Sequence, residues 1–189
     1  MARCSWAYSD VLYRGYHDLE WGRPSRDDQR LFEKLCLEGF MSGLSWLTIL
    51  RKRENFRAAF RGFDPGKVAR FSARDVARLM GDAGIVRNRA KIEATINNAR
   101  RLPALIDEFG SLAAYAWAFA PRPRKRLLTW PEFTRAGVIP EAAAMSTDLR
   151  RRGWGFVGPT TVHSFMQAMG LVNDHVRGCE VGKEILRLK

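Results

Sequence analysis

Three groups of residues in this chain are of types and spacings that could do chemistry. Cys4, His17, His175 and Cys179 offer two thiolates and two imidazoles, a donor set that suits tetrahedral zinc. Two donors come from each end of the chain, so one ion would staple the termini together, and the His175-x3-Cys179 spacing fits a helical turn or a tight loop. With both thiols ionised, the site would be electrically neutral. Because 157 residues separate His17 from His175, the same four are also compatible with unrelated Cys and His side chains. Cys36, on an apolar helix face, reads as core. The second group is Trp6, Tyr13, Tyr16, Trp21, Glu38 and Trp46, all within the first 46 residues. Glu38 interrupts the apolar run Leu35-Cys-Leu-Glu-Gly-Phe-Met, which places it at a cavity instead of in bulk water. A carboxylate walled by indoles could accept from the exocyclic amine of a flipped base while a Trp stacks on the ring; the same cluster could equally be aromatic core. The third is the stretch Asp75–Ile92, two helices joined by a Gly-containing turn. Its turn at Gly84 and Ile85 and the start of its second helix, beside Arg87, Arg89 and Lys91, could grip a DNA phosphate without reading sequence. An ordinary helical hairpin with solvated arginines gives the same spacing.

These residues need helices to position them. Asp27-Asp28 opens a segment in which Leu31, Phe32, Leu35, Cys36 and Phe40 recur at helical spacing. Ser45 is placed to cap a helix through Trp46, Ile49, Leu50, Phe56 and Phe60. Asp64-Pro65 and Ser72-Ala-Arg-Asp75 start two more, the second with Val76, Leu79 and Met80 as its buried stripe. Gly81–Gly84 ends it, and the next helix is predicted over Asn88–Leu102. Ser111–Phe119 and Glu141–Arg152 follow as shorter helices, and Gly158-Pro159 opens one through Phe165 and Met169. The proline-punctuated, basic stretch Pro121–Pro140 reads as a surface loop. No strand pattern or solenoid repeat stands out. The prediction is a single all-α domain over residues 1–189.

Composition narrows the partners. The 189 residues are 46% hydrophobic and 28% charged, which excludes a disordered chain. No apolar run reaches the ~18 residues of a membrane span, and the first residues carry no secretory signal. Three scattered cysteines fit a reducing cytoplasm. The 32 basic residues exceed the 20 acidic ones to give +12, and the whole excess lies after residue 48. It concentrates in Arg51-Lys-Arg53, Arg87/Arg89/Lys91, Arg122/Arg124/Lys125/Arg126 and Arg150-Arg-Arg152. Such a field attracts a polyanion, although 25 of the 32 are Arg, as a GC-rich genome would produce unaided.

Longer strings carry a family resemblance. Cys4-Ser-Trp6, Tyr16-His-Asp-Leu-Glu-Trp-Gly22, Leu35-Cys-Leu-Glu-Gly39, Gly43-Leu-Ser-Trp46, Arg51-Lys-Arg-Glu-Asn55, Phe63-Asp-Pro65, Asp82-Ala-Gly-Ile85 and Ser164-Phe-Met-Gln-Ala168…Gly170-Leu-Val-Asn-Asp-His175 resemble the DNA-3-methyladenine glycosylase I family. The strings run in order over nearly the whole chain. The resemblance implies a bacterial, cytoplasmic base-excision repair enzyme acting as a monomer on double-stranded alkylated DNA. It also implies a helix–hairpin–helix glycosylase-like bundle, with one structural zinc on Cys4, His17, His175 and Cys179 joining segments of about 1–22 and 171–189. Glu38 and Tyr16 match the positions that hydrogen-bond the excised base, and Trp46 matches the ring that stacks on it. Trp6, Tyr13 and Trp21 line the same pocket, and Gly84–Lys91 matches the phosphate-gripping hairpin. Phe40-Met41-Ser42 departs from a Gln-rich pattern, and Pro159 and His163 stand for a Thr and a Tyr; these changes bear on the pocket wall and a helix start.

Methylation at N3 leaves the bound adenine cationic, so the implied chemistry is extrusion of the nucleotide, retention of the base and admission of water at C1′. No Asp claims a catalytic role, and no lysine nucleophile stands out, which implies a monofunctional enzyme without lyase activity. A non-catalytic DNA-binding module, a zinc-stapled interaction protein and a glycosylase of altered lesion specificity are the competing readings.

Overall fold

Helices begin where the sequence supplies an oxygen for their first orphan amides. In the computed structural model, which describes residues 1–188, eleven α-helices follow in order: α1 Val11–Leu19, α2 Asp28–Met41, α3 Trp46–Ala59, α4 Pro65–Ala69, α5 Ala73–Gly81, α6 Arg89–Phe109, α7 Leu112–Ala118, α8 Trp130–Ala136, α9 Pro140–Arg151, α10 Pro159–Ala168 and α11 Glu180–Arg187. Asp27, Ser45 and Asn88 cap α2, α3 and α6 by accepting from the amides of Arg30, Thr48 and Lys91. Ser72 and Asp75 close a reciprocal capping box on α5. Among the described residues the only strand-like contact is a bridge between Leu128 and Val176.

Helix α2 runs through the middle, packed on α10, α3, α7 and α6. It is buried nearly all round, from Leu31 through Phe40, so even Lys34 and Glu38 lie inside. Phe40, Phe56, Phe60, Phe63 and Phe71 interlock on one side of it. The chain ends meet on the other side. Glu180 N–H donates to the Ala2 carbonyl at 3.0 Å, and Gly22 N–H donates to Ala168 at 3.1 Å. Gly22 has φ +79°, and a Cβ there would come within 2.8 Å of His175 Nε2. Only glycine lets the first segment pass that close.

Several elements depart from expectation. Helices α1 and α11 were not among the expected elements. Helix α6 continues through Pro103 to Phe109. Buried Leu102 and Leu105 hold the turn beyond the proline, offsetting the amide it lacks. The expected loop 121–140 contains α8, set by a Thr129–Glu132 capping box that the prolines obscured.

Candidate active site

Helix α1 places Tyr13, Tyr16 and His17 on one face, because residues three and four apart share a side of a helix. The tyrosines face a cavity of about 220 Å³, lined by Trp6, Tyr13, Tyr16, Trp21, Glu38, Met41, Trp46, Phe133, Ser164 and Gln167. All six residues of the expected aromatic–carboxylate cluster therefore converge. Trp6 meets Tyr13 and Trp21 edge-on at 5.4 and 5.1 Å, and Tyr16 lies 5.3 Å from Trp46. The Tyr13 hydroxyl accepts from Leu47 N–H at 3.0 Å, which fixes α1 to the start of α3 and so locates Trp46, the first residue of that helix.

The polar groups of the cavity are sparse and specific. Glu38 is 3% exposed, with one carboxylate oxygen 2.6 Å from Lys34 Nζ. The other oxygen, Oε2, is buried without a partner, as is Trp46 Nε1. Buried polar atoms are nearly always satisfied, so an orphan acceptor and an orphan donor at one cavity point to a ligand carrying the complementary groups. Burial, with the carboxylates of Glu38 and Glu20 nearby, raises Tyr16 well above the usual phenol range and keeps it neutral. Gln167 donates its amide to Asp174 at 2.8 Å, which leaves its carbonyl as the acceptor it can offer the cavity. Burial would raise the Asp174 carboxyl, but the adjacent His163 imidazole and hydrogen bonds from Gln167 and Arg124 overcome it and hold the group at about 2.

Behind the cavity, Cys4, His17, His175 and Cys179 are all buried, and their donor atoms lie within 4.8 Å of one another. Cys179 Sγ is 3.4 Å from His17 Nε2 and 3.3 Å from His175 Nδ1, and Cys4 Sγ is 3.5 Å from His175 Nδ1. Sulfur and nitrogen on a tetrahedral zinc would stand about 3.6 Å apart, from the usual bond lengths, so the set fits such an ion. The outer nitrogens support the fit. His17 Nδ1 lies 2.9 Å from Asp18, and His175 Nε2 lies 3.2 Å from the Trp21 carbonyl. Each partner accepts a hydrogen bond from that nitrogen's N–H, which leaves the other ring nitrogen with its lone pair free to bind a metal. The two thiols act on each other: their proximity lowers Cys179 and raises Cys4, and the imidazoles of His17 and His175 lower Cys179 further. Trp6 abuts His17 at 5.2 Å and Trp21 abuts His175 at 4.5 Å, so the cluster forms the backing of the cavity wall.

Comparison with known proteins bears on this arrangement. The family model described as methyladenine glycosylase matches residues 6–182. The chain belongs to the methyladenine glycosylase family. A relative in Escherichia coli K12, DNA-3-methyladenine glycosylase 1, is 47% identical over 95% of this chain and 96% of its own length. The solved structure of a 3-methyladenine DNA glycosylase I superposes with a TM-score of 0.89 at 45% identity, covering 95% of this chain and 98% of that one. A Tyr-to-Phe variant of a 3-methyladenine DNA glycosylase I, in complex with 3-methyladenine, superposes at 0.88 with 38% identity, covering 95% and 97%.

Set within that family, some residues fall where the sequence did not put them. In the hairpin between α5 and α6, Gly84 N–H turns back to Asp82 Oδ1 at 2.8 Å, and Ile85 N–H turns to the Asp82 carbonyl. The Lys91 ammonium is not at the hairpin surface. It is buried and donates to the Phe40 and Ser42 carbonyls at 2.9 and 2.5 Å, closing the end of α2. Arg87 and Arg89 are exposed beside the turn. Several basic runs are also spent internally: Arg51 on Asp10, Arg53 on Glu20, and Arg152 on Glu108 and Asp148. The Phe40-Met41 departure splits, since Phe40 is core and only Met41 reaches the cavity. Pro159 sits in the first turn of α10, and His163 Nε2 lies 3.3 Å from Asp174. Periodicity passed over Lys34, Phe133, Ser164 and Gln167. The Lys34–Glu38 spacing within an apolar helix and the Thr129-x-x-Glu132 box before Phe133 were the available signals.

Proposed function

We propose that this chain is a DNA-3-methyladenine glycosylase I, a repair hydrolase that removes 3-methyladenine from alkylated double-stranded DNA. The observation that carries this is the orphaned Glu38 oxygen inside an aromatic cavity. The exocyclic amine of a flipped 3-methyladenine donates to Glu38, Trp46 stacks on its ring, and neutral Tyr16 adds a hydrogen bond. Trp6, Tyr13 and Trp21 close the walls. The bound base is already cationic, so its bond to C1′ breaks with the electron pair passing to the base, and no general acid is needed. Water adds at C1′ of the oxocarbenium-like sugar and releases a proton to solvent. Glu38 is the only carboxylate among the residues lining the cavity, and no lysine lines it, which supports glycosylase action without strand cleavage.

Cys4, His17, His175 and Cys179 would hold one zinc; bound there, it supplies structural cross-linking, since four protein donors leave no open position. The ion would join about 1–22 to 171–189 within one domain spanning the chain, a reading supported by one continuous buried core. The α5–α6 hairpin acts as the helix–hairpin–helix element. Arg87 and Arg89 meet the DNA backbone there, with Gly84 and Ile85 shaping the turn. No helix among the described residues is long and apolar enough to cross a membrane; we assign a monomer working in the bacterial cytoplasm. Mass spectrometry of bases freed from methylated duplex DNA tests the activity. Release of 3-methyladenine with intact strands is expected. Release of another base revises the pocket, and no release from folded, metal-loaded protein overturns the reading.

A further inference from the structure

Helix α8 lies in the basic stretch 121–140, which none of the strings carrying the family resemblance reaches, and it has no buried residue. Two large rings stand on it all the same. Trp130 is 48% exposed, and its ring lies 5.5 Å from that of Phe133 at a tilt of 32°. Phe133 in turn lines the cavity assigned to the excised base, so the pair runs from that cavity out to solvent. Paired rings exposed at the rim of a functional cavity mark a contact surface. The pair is also held from outside α8. Leu128 accepts from Arg177 N–H at 2.7 Å, and Glu132 accepts from Thr129 N–H at 2.7 Å and from both Arg126 terminal nitrogens at 2.8 and 2.7 Å. A platform fixed in this way loses little freedom when a partner arrives. Arg122, Lys125 and Arg135 are exposed around it and, among the described residues, are paired with no carboxylate, so the patch suits an anionic partner.

We propose that Trp130 and Phe133 form a stacking platform for a nucleotide that borders the flipped one, so that α8 grips DNA by ring contact while the α5–α6 hairpin grips it by phosphate. This rests on the reading that the flipped base occupies the cavity. A base that enters it stays tied to its strand until the glycosidic bond breaks, so the neighbouring nucleotides pass over the rim. Extrusion also strips a stacking partner from each neighbour, and an aromatic face at the rim replaces one of them. The hairpin stands at a different part of the same rim. Lys52 and Asn55 of α3 donate to the Ala83 and Gly84 carbonyls at 2.9 and 3.3 Å, and α3 begins with the cavity residue Trp46. Trp130 itself does not line the cavity, so it acts on the DNA and leaves the free base untouched.

The probe is a duplex with a tetrahydrofuran abasic site and a 2-aminopurine placed in turn on each side of it, a base whose fluorescence is quenched by stacking. The wild type should bind it and keep the 2-aminopurine quenched on one side. Trp130→Ala should bind at least about fivefold more weakly, the lower end for one base–aromatic stack, and should brighten that 2-aminopurine. The salt dependence of its affinity and its binding of free 3-methyladenine should match the wild type. Trp130→Phe should recover most of the affinity. Equal duplex affinity and equal quenching in Trp130→Ala overturn the proposal. So does a wild-type dimer that Trp130→Ala dissolves in sedimentation with duplex affinity unchanged, which would make the patch a contact between copies of the chain. Binding of free 3-methyladenine without binding of the duplex by the wild type also overturns it. Binding of neither overturns the glycosylase reading itself.

Discussion

Glu38 and Lys34 are one helical turn apart on α2 and buried together, yet they face different neighbours. One Glu38 oxygen is held by the ammonium and the other is left at the cavity. Division of the carboxylate in this way fixes its rotamer before any ligand arrives. Lys34 is surrounded by Glu38 on its own helix, Tyr16 on α1, Glu20 just past the end of α1, and Trp46 and Arg53 on α3. Burial is the largest influence and lowers it, Glu38 raises it in part, and the net position is about 8. As pH rises through 8 the ammonium is lost. Gln167 offers a check. Asp174→Leu removes the acceptor that orients the Gln167 amide, so excision should fall several-fold with little change in DNA affinity, measured by single-turnover kinetics against a binding isotherm.

Each helix contributes a placement. Trp46 is the first residue of α3, so its position depends on the Ser45 cap and on Tyr13. Ser45→Ala should cost about 1 kcal/mol of stability, read as a lowered urea midpoint, and should weaken excision because the stacking ring is no longer anchored. Helix α1 carries Tyr16 toward the cavity and His17 toward the metal cluster on adjacent positions. Cys179→Ser should accordingly lower zinc content and melting temperature together and shift the tryptophan emission, since Trp21 packs on His175. A full zinc complement with unchanged melting would count against the assignment. The starts of α2 to α5 were legible in the sequence, because capping oxygens and apolar spacing are local signals; the two clusters were legible as residue types, and only the family resemblance joined them into sites. The fate of Lys91 was not: its burial depends on where the end of α2 lands, 51 residues earlier in the chain. Phe133 was hidden because prolines on both sides of α8 look like loop. Lys34 was hidden because a lysine four residues before a glutamate usually marks a solvated helix face.

At the scale of the molecule, the +12 charge already has every acidic residue subtracted, so internal ion pairs decide which basic residues face DNA and not the size of the surplus. The exposed arginines beside the α5–α6 hairpin are the ones expected to meet phosphates. Arg87→Gln should reduce the salt dependence of DNA binding by about one counterion and leave the identity of the excised base unchanged, as anisotropy titrations over a salt series will show. The central claim is that a carboxylate held in an aromatic cavity recognises the base. Glu38→Gln keeps the shape and removes the charge. Single-turnover release of 3-methyladenine from methylated duplex by that variant, with its melting temperature measured alongside, tests the claim most directly. The expected result is a folded protein that melts within a few degrees of the wild type and excises at least about tenfold more slowly, the cost of weakening one charged hydrogen bond. Undiminished excision at limiting substrate would contradict it.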